Sequence, residues 1–176
     1  LLFIISCNPA SNDEPIDPVI TPGFYGLEAQ STSIDGEVVS TGRFGGGGYY
    51  AQRLQFIEEN ALQIEVTSDI PKQNGLAKAT YQVQDSNISV NITSSTTSRY
   101  PAGTEVTFTD FKVVDDSFSR TFQSNGDSYI FTGPGLLLER QYADQEDLDD
   151  DGNTAEMVSR TRFYGYLGMK YDNGGL

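Results

Sequence analysis

The feature that most constrains the fold is an alternation of apolar and polar residues with a period of two. It is clearest in Leu62-Ile64-Val66 and in Ile88-Val90-Ile92, where polar residues fill the intervening positions. Such alternation is typical of strands with one face buried and the other in water. Short segments rich in Gly, Asn, Asp and Pro separate the alternating stretches. The pattern therefore predicts an all-β fold of many short strands, either a β-sandwich or an up-and-down β-barrel.

Two segments depart from simple alternation. The apolar pairs Val106-Phe108 and Phe111-Val113 lie on opposite parities, which predicts a β-bulge near Asp110. Residues 50–60 can be interpreted as a strand or as a short helix, and both alternatives stay open.

The start of the chain is apolar and ends in Ile4-Ile5-Ser6-Cys7. This segment resembles the lipobox of bacterial lipoproteins, in which the cysteine after the cleaved signal peptide carries the lipid. An apolar run of this length cannot cross a bilayer, which needs about 20 residues. We therefore expect residues 1–7 to be a signal-peptide remnant and Cys7 to be lipidated, anchoring the protein to a membrane.

Residues 8–22 are polar and rich in proline, which predicts an extended, flexible tether. Residues 23–176 then form a single β-domain, which we expect to be monomeric. Within the tether, Asn12-Asp13-Glu14 resembles the surface-export signals of some Gram-negative lipoproteins, although a solvated linker has the same composition. The expected location is the bacterial outer membrane, facing either the periplasm or the outside.

The composition excludes several classes of function. The 176 residues include 25 Asp and Glu but 11 Lys and Arg, giving a formal net charge of -14. Nucleic-acid-binding proteins carry clustered Lys and Arg, so we expect no nucleic-acid partner. The chain has no His, which excludes a Ser-His-Asp triad and removes the commonest general base. We therefore expect no enzyme; a small hydrolase using a Ser-Lys pair or paired carboxylates is the remaining alternative.

Short segments along the chain have the form of an opening strand and hairpin, a second strand and turn, a central hairpin and closing strands. They are residues 23–27, 34–36, 54–60, 79–83, 87–90, 129–131 and 136–140. In this order they resemble the lipocalin-like domains of many bacterial lipoproteins, which implies an antiparallel, lipocalin-like barrel of about eight strands. This chain has Tyr25 where a Trp is usual in the family. The resemblance further implies that a late-strand Arg, here Arg162, covers that aromatic residue.

A barrel of about eight strands is just wide enough to enclose side chains or one small ligand. Aromatic residues at expected inward positions, and two tyrosines beside a glycine run, are the candidate ligand-binding residues: Phe56, Tyr81, Phe108, Tyr129, Phe131, Tyr49 and Tyr50. Two alternatives stay open. The barrel is either hollow, with room for a ligand, or filled by its own side chains.

Residues 144–156 carry seven carboxylates and no basic side chain. Within them, Asp147-x-Asp149-x-Asp151-Gly152 matches the first half of a calcium-binding loop, in which oxygens two residues apart converge around the ion. Asn153 would add a backbone carbonyl, and Glu156 lies two residues before the place of the usual bidentate Glu. The pattern predicts a structural calcium site formed by Asp147, Asp149, Asp151, Asn153 and Glu156. A solvated acidic hairpin tip is the alternative.

These observations predict an envelope-anchored lipoprotein whose β-domain binds a small hydrophobic or amphiphilic ligand without catalysis. The alternative is a surface-displayed module that binds a glycan or a protein through the loops at 45–50 and 144–156. Ligand carriage needs an internal cavity, whereas recognition through loops needs only a rigid scaffold.

Overall fold

β-Strands account for almost all of the regular structure in the computed structural model, which describes residues 19–43, 50–58, 60–124, 127–144 and 151–168. The strands are β1 (Gly23–Ile34), β2 (Glu37–Arg43), β3 (Tyr50–Ile57), β4 (Ala61–Ser68), β5 (Gly75–Gln84), β6 (Asn87–Ser95), β7 (Glu105–Val114), β8 (Ser119–Ser124), β9 (Asp127–Thr132), β10 (Gly135–Asp144) and β11 (Glu156–Gly168). A short 3₁₀ helix, Pro71–Gln73, lies between β4 and β5. Among the residues described, no helix is long and apolar enough to cross a membrane.

Eight strands form a closed antiparallel barrel in the order β1-β3-β4-β5-β6-β7-β10-β11, and β11 returns to pair with β1. In the closing pair, Phe24 lies opposite Gly168 and Ile34 lies opposite Val158. Barrel neighbours follow one another in sequence except where β2 and the β8–β9 hairpin are inserted. The predicted up-and-down barrel of about eight strands is confirmed, and the sandwich alternative is wrong. Residues 50–57 form β3, so the helical interpretation of that segment is wrong as well.

Strand β1 has three partners. Its first residues pair with β3, its second half pairs with the extra strand β2, and β11 follows its other edge throughout. The register against β11 shifts between Leu27 and Ala29, which is a β-bulge at Glu28. Because the bulge adds one residue, Leu27 belongs to the barrel interior while Ala29 packs on the outside. The next residue, Gln30, then faces the interior again.

The barrel interior is filled with apolar side chains, which the period-two alternation places on one face of each strand. The members that are 5% exposed or less include Leu27, Leu54, Leu62, Ile64, Val66, Ile88, Val90, Leu136, Leu138 and Tyr164. Burial of a large apolar side chain stabilises a fold by about 1.5–3 kcal/mol. Phe108 and Phe111 both join this cluster because Asp110, with φ of 48°, inverts the parity of β7. The predicted bulge near Asp110 is therefore confirmed.

The end of the barrel where β1 begins is closed by aromatic rings. The ring centroid of Tyr25 lies 5.6 Å from that of Phe56 and 5.1 Å from that of Tyr166. The Tyr25 hydroxyl donates a hydrogen bond to the carbonyl oxygen of Thr21 at 2.7 Å. Ile20 is 7% exposed and belongs to the interior cluster. Ile20, which lies within the expected tether at residues 8–22, thus packs in the barrel core.

A second, smaller core lies outside the barrel, beneath the β8–β9 hairpin. Its buried members come from the hairpin and from the outer faces of β1, β10 and β11: Ala29, Phe122, Phe131, Leu137 and Phe163. Tyr129 packs against the same cluster. The prediction that Tyr129 and Phe131 face the barrel interior is therefore wrong, because β9 pairs only with β8 in a separate two-stranded sheet.

Candidate functional site

The two ends of the barrel differ in chemistry. The end where β1 begins is closed by the rings around Tyr25, whereas the opposite end is lined by Arg140 of β10 and by Arg160 and Arg162 of β11. We call this opposite end the arginine end. Several basic side chains line a common cavity at this end.

Strand alternation explains why these arginines point inward. On β10, Leu138 is buried in the interior, and Arg140, two residues further, continues the same face. On β11, Tyr164 is buried in the interior, and Arg162 and Arg160 continue that face toward the start of the strand. In the β10–β11 register, Leu138 lies opposite Arg162 and Arg140 lies directly opposite Arg160. Two like charges thus face each other across one strand pair.

Arg162 is 7% exposed, and its Nε donates a hydrogen bond to Oε1 of Gln30 at 2.7 Å. The bulge at Glu28 makes this contact possible, because it turns Gln30 toward the interior. The expectation that Arg162 covers the aromatic residue of the first strand is wrong. Arg162 pairs with Gln30, whereas Tyr25 pairs with Tyr166, and it is the Tyr166 ring that contacts Tyr25.

Arg140 and Arg160 share one aromatic partner. Their guanidinium carbons lie over the Tyr142 ring, 5.4 Å and 5.7 Å from its centroid. Nε of Arg160 is buried and has no hydrogen-bond partner among the described residues. Burial is the main cause that lowers the pKa of Arg160; Tyr142 opposes the shift, and the charges of Arg162, Arg99 and Arg140 add to it. The guanidinium therefore sits in a partly desolvated, positively charged environment.

The segment between β6 and β7 folds over the arginine end and brings Arg99 to it. The Thr97 hydroxyl donates to the carbonyl of Gln73, and the backbone N–H of Ser98 donates to the carbonyl of Lys72 at 3.0 Å. Tyr100 is 6% exposed, and its hydroxyl accepts a hydrogen bond from Gln52. These bonds fasten the segment to the 3₁₀ helix and to β3.

Two spaces that share four lining residues lie at this end. The inner one is a cavity of about 30 Å³ lined by Tyr100, Val106, Phe108, Leu138, Arg140, Tyr142, Arg160 and Arg162. The outer one is an open recess of about 300 Å³ lined by Gln73, Ser98, Arg99, Tyr100, Arg140, Arg160 and Arg162. We call the two together the arginine pocket. None of these described lining residues is Asp or Glu.

One of the predicted ligand-binding residues, Phe108, lines the arginine pocket. Phe56 and Tyr81 lie in the interior toward the opposite end, with ring centroids 5.0 Å apart. The two residues predicted on β9 lie outside the barrel, as described above. Tyr49 is outside the described residues, and Tyr50 begins β3. The predicted aromatic set is therefore not brought together in one site.

The predicted calcium ligands are only partly covered by the structure. Asp147 and Asp149 lie outside the described residues. The Asp151 carboxylate accepts the backbone N–H of Asn153 at 2.7 Å, and both side chains are exposed, whereas Glu156 is 2% exposed. Within the described part of the chain, no three acidic, His or Cys side chains lie close enough to hold a metal ion. Calcium binding by this loop stays a prediction.

Lipidation of Cys7 also stays a prediction, because Cys7 lies outside the described residues.

Comparison with known proteins gives no neighbour: no family model matches the chain, and no curated protein or solved structure matches it. The chemistry of the arginine pocket therefore has to be inferred from the residues that line it.

Sequence reasoning missed the arginine pocket, although a signal is present. Arg140 shares its parity with Leu138, and Arg160 and Arg162 share theirs with Tyr164, so the charges continue the apolar faces of β10 and β11. Charge on the buried parity of a strand is unusual and indicates a polar end to the interior. Arg99 carries no such signal, because it lies between strands.

Proposed function

We propose that this protein is an envelope-anchored lipoprotein whose barrel domain binds a small amphiphilic ligand, without catalysis, at the arginine end. The supporting observation is the recess of about 300 Å³, which is lined by four arginines and by Tyr100. Its volume lies at the lower limit of small-molecule sites, roughly 300–1,000 Å³. Tyr100 lines the recess and, together with Val106 and Phe108, also lines the smaller inner cavity.

The packed interior supports a ligand held at the end of the barrel and not deep within it. The inner cavity of about 30 Å³ has room for roughly one or two water molecules. An acyl chain threaded through the interior would have to displace residues such as Leu138, Val90 and Ile88, which are 2% exposed or less. The apolar part of an amphiphile therefore rests against Tyr100 and the neighbouring wall of the recess.

The placement at the membrane rests on the lipobox-like segment ending in Cys7 and on the Pro-rich stretch that follows it. A lipid-modified cysteine with more than one acyl chain anchors a protein stably. A tether of this kind leaves the barrel free to meet solutes in the envelope.

Native mass spectrometry of the 176-residue chain, incubated with a small-molecule extract of bacterial envelopes, tests the proposal. Ser98 is exposed and lines the recess, so Ser98→Trp fills it without removing a charge. The matched control, Thr107→Trp, places the same ring at an exposed position of β7 that does not line the pocket. We expect an adduct on the wild type and on Thr107→Trp that is absent from Ser98→Trp.

Two results would contradict the proposal. An adduct that persists on Ser98→Trp would show that the ligand binds elsewhere. No adduct on any of the three proteins would favour a filled scaffold that acts through its loops.

A further inference from the structure

The arginine end also points to the chemical class of the ligand. We propose that Arg99, Arg140, Arg160 and Arg162 bind an oxyanion of the phosphate type, supplied as free phosphate or as the phosphate headgroup of an amphiphile. This inference deepens the proposed function and rests on it.

The first observation is the placement of charge. The chain has 25 acidic residues against 11 basic ones, yet four arginines line the pocket and no acidic residue is among its described lining. Arg140 lies directly opposite Arg160, an arrangement that destabilises a strand pair because like charges repel. A bound anion removes this repulsion, since each guanidinium then faces an opposite charge. The arrangement therefore costs stability in the free protein and favours an anionic ligand.

The second observation is the geometry of the donors. The arginines come from three elements, β10, β11 and the segment after β6, so they approach the recess from different sides. Arg162 is oriented by its hydrogen bond to Gln30, and Tyr142 lies under the guanidinium groups of both Arg140 and Arg160. Guanidinium groups held in this way are suited to bidentate hydrogen bonds with oxyanions. The buried Nε of Arg160 supplies a further donor that no described group accepts.

The number of donors favours phosphate over carboxylate. A carboxylate has two oxygens and one negative charge, which one guanidinium fork satisfies. A phosphate monoester carries about 1.5 to 2 negative charges at pH 7 and three strong acceptor oxygens. Several guanidinium groups around one recess match a phosphate monoester better than a carboxylate, because each free phosphate oxygen can accept from a different guanidinium.

The test is thermal unfolding and calorimetric titration of the full chain with inorganic phosphate, compared with acetate and chloride at the same ionic strength. Phosphate should raise the unfolding temperature with a saturable dependence, as expected for binding to the folded state, and acetate should have a clearly smaller effect. An equal, unsaturable effect of all three salts would reflect screening of the net charge of -14 and would overturn the inference.

Three variants assign the effect to the pocket. Arg160→Gln and Arg140→Lys, which loses the fork but keeps the charge, should each weaken phosphate binding by about tenfold or more. Arg120→Gln is the matched control, because Arg120 does not line the pocket. Its guanidinium lies 5.4 Å from the centroid of the Phe122 ring and helps to lower the pKa of Glu139. It should bind phosphate like the wild type. Equal affinity of all four proteins would overturn the proposal, and their unfolding temperatures without phosphate show that each is folded.

The source of the phosphate group follows from two probes, glycerol 3-phosphate and dihexanoyl phosphatidic acid. Equal affinities would identify the phosphate group alone as the ligand, and tighter binding of the lipid would identify an amphiphile; either result supports the site. No response to any phosphate compound, with an envelope adduct that Ser98→Trp still abolishes, would overturn the anion class and leave the proposed function standing. If neither a response to phosphate compounds nor an envelope adduct is found, the anion class and the proposed function are both overturned.

Discussion

The hairpin outside the barrel should detach when its small core is weakened. Phe122 is 3% exposed, and its ring lies 5.3 Å from that of Phe131 in an edge-to-face arrangement. Replacing such a buried ring with Ala costs about 3–5 kcal/mol. An isolated two-stranded hairpin is only marginally stable in water, so the second core supplies most of what holds β8 and β9 in place. We expect Phe122→Ala to release the hairpin while the barrel stays folded.

Hydrogen exchange followed by mass spectrometry measures this directly. A loss of 3–5 kcal/mol corresponds to an increase of about two to nearly four orders of magnitude in the exchange rate of the β8–β9 amides. Amides of β6, whose Ile88 and Val90 are 1% exposed, should keep their protection. The matched control is Phe111→Ala, a ring that is 2% exposed inside the barrel. It should lower the unfolding temperature of the whole domain by about 6–20 °C.

The reasoning fails if Phe122→Ala leaves the β8–β9 amides protected, because the second core would then not be what holds the hairpin. It fails equally if the amides of β6 lose protection together with those of the hairpin. That result would mean that the two cores unfold as one cooperative unit.

Three further predictions concern the bulge, an interior tyrosine and the acidic loop. Asp110 has φ of 48°, a backbone conformation that a β-branched residue rarely adopts. Asp110→Val should therefore lower the free energy of unfolding, measured by urea denaturation, by about 1–3 kcal/mol. Asp110→Gly should change it by less than about 0.5 kcal/mol. Burial above all raises the pKa of Tyr25 from 10.0 to about 12. The contribution of the neutral Tyr25 side chain to the free energy of unfolding is therefore complete below pH 10 and is lost as the pH rises through 12. Tyr25→Phe should therefore show a smaller fall in unfolding temperature between pH 9 and pH 11.5 than the wild type, whatever the loss of its hydrogen bond costs at neutral pH. Calcium should raise the unfolding temperature of the wild type but not that of the Asp149→Ala, Asp151→Ala double variant; an unchanged calcium shift in that variant would discard the site.

The barrel itself was predictable because alternation reports directly on burial. Leu62, Ile64 and Val66 occupy one face of β4, and all three are buried in the interior as their period of two requires. The inverted parity between Phe108 and Phe111 was enough to locate the bulge at Asp110. Both inferences depend only on neighbouring residues, for which the geometry of a strand fixes which side chains share a face.

The external hairpin was not predictable by the same rule. Tyr129 and Phe131 share one parity of β9, as the inward residues of a barrel strand do. A period of two indicates that one face of a strand is buried, but it does not indicate which element covers that face. The available signal lay elsewhere in the sequence. Leu136-Leu137-Leu138 and Phe163-Tyr164 are apolar on both parities, which indicates that β10 and β11 are covered on both faces.

The arginine pocket depended on contacts distant in sequence. The bulge at Glu28 turns Gln30 toward Arg162, and the alternation of β1 does not locate it because Gln30, the inward residue that follows it, is polar. Arg99 reaches the recess only because Thr97 and Ser98 bond to the 3₁₀ helix before β5. Such contacts become visible only when the strand order and register are known.

The pairing of the first barrel strand with the last has a consequence for the order of folding. β1 cannot complete its edge until β11 is available, because the residues that pair there come from opposite ends of the domain. A fold closed by such distant contacts has a high contact order and folds slowly. Until closure, one edge of β1 offers unpaired backbone groups to any other strand, which makes the unfinished chain prone to aggregation. On a ribosome, the barrel therefore stays open until its final strand emerges.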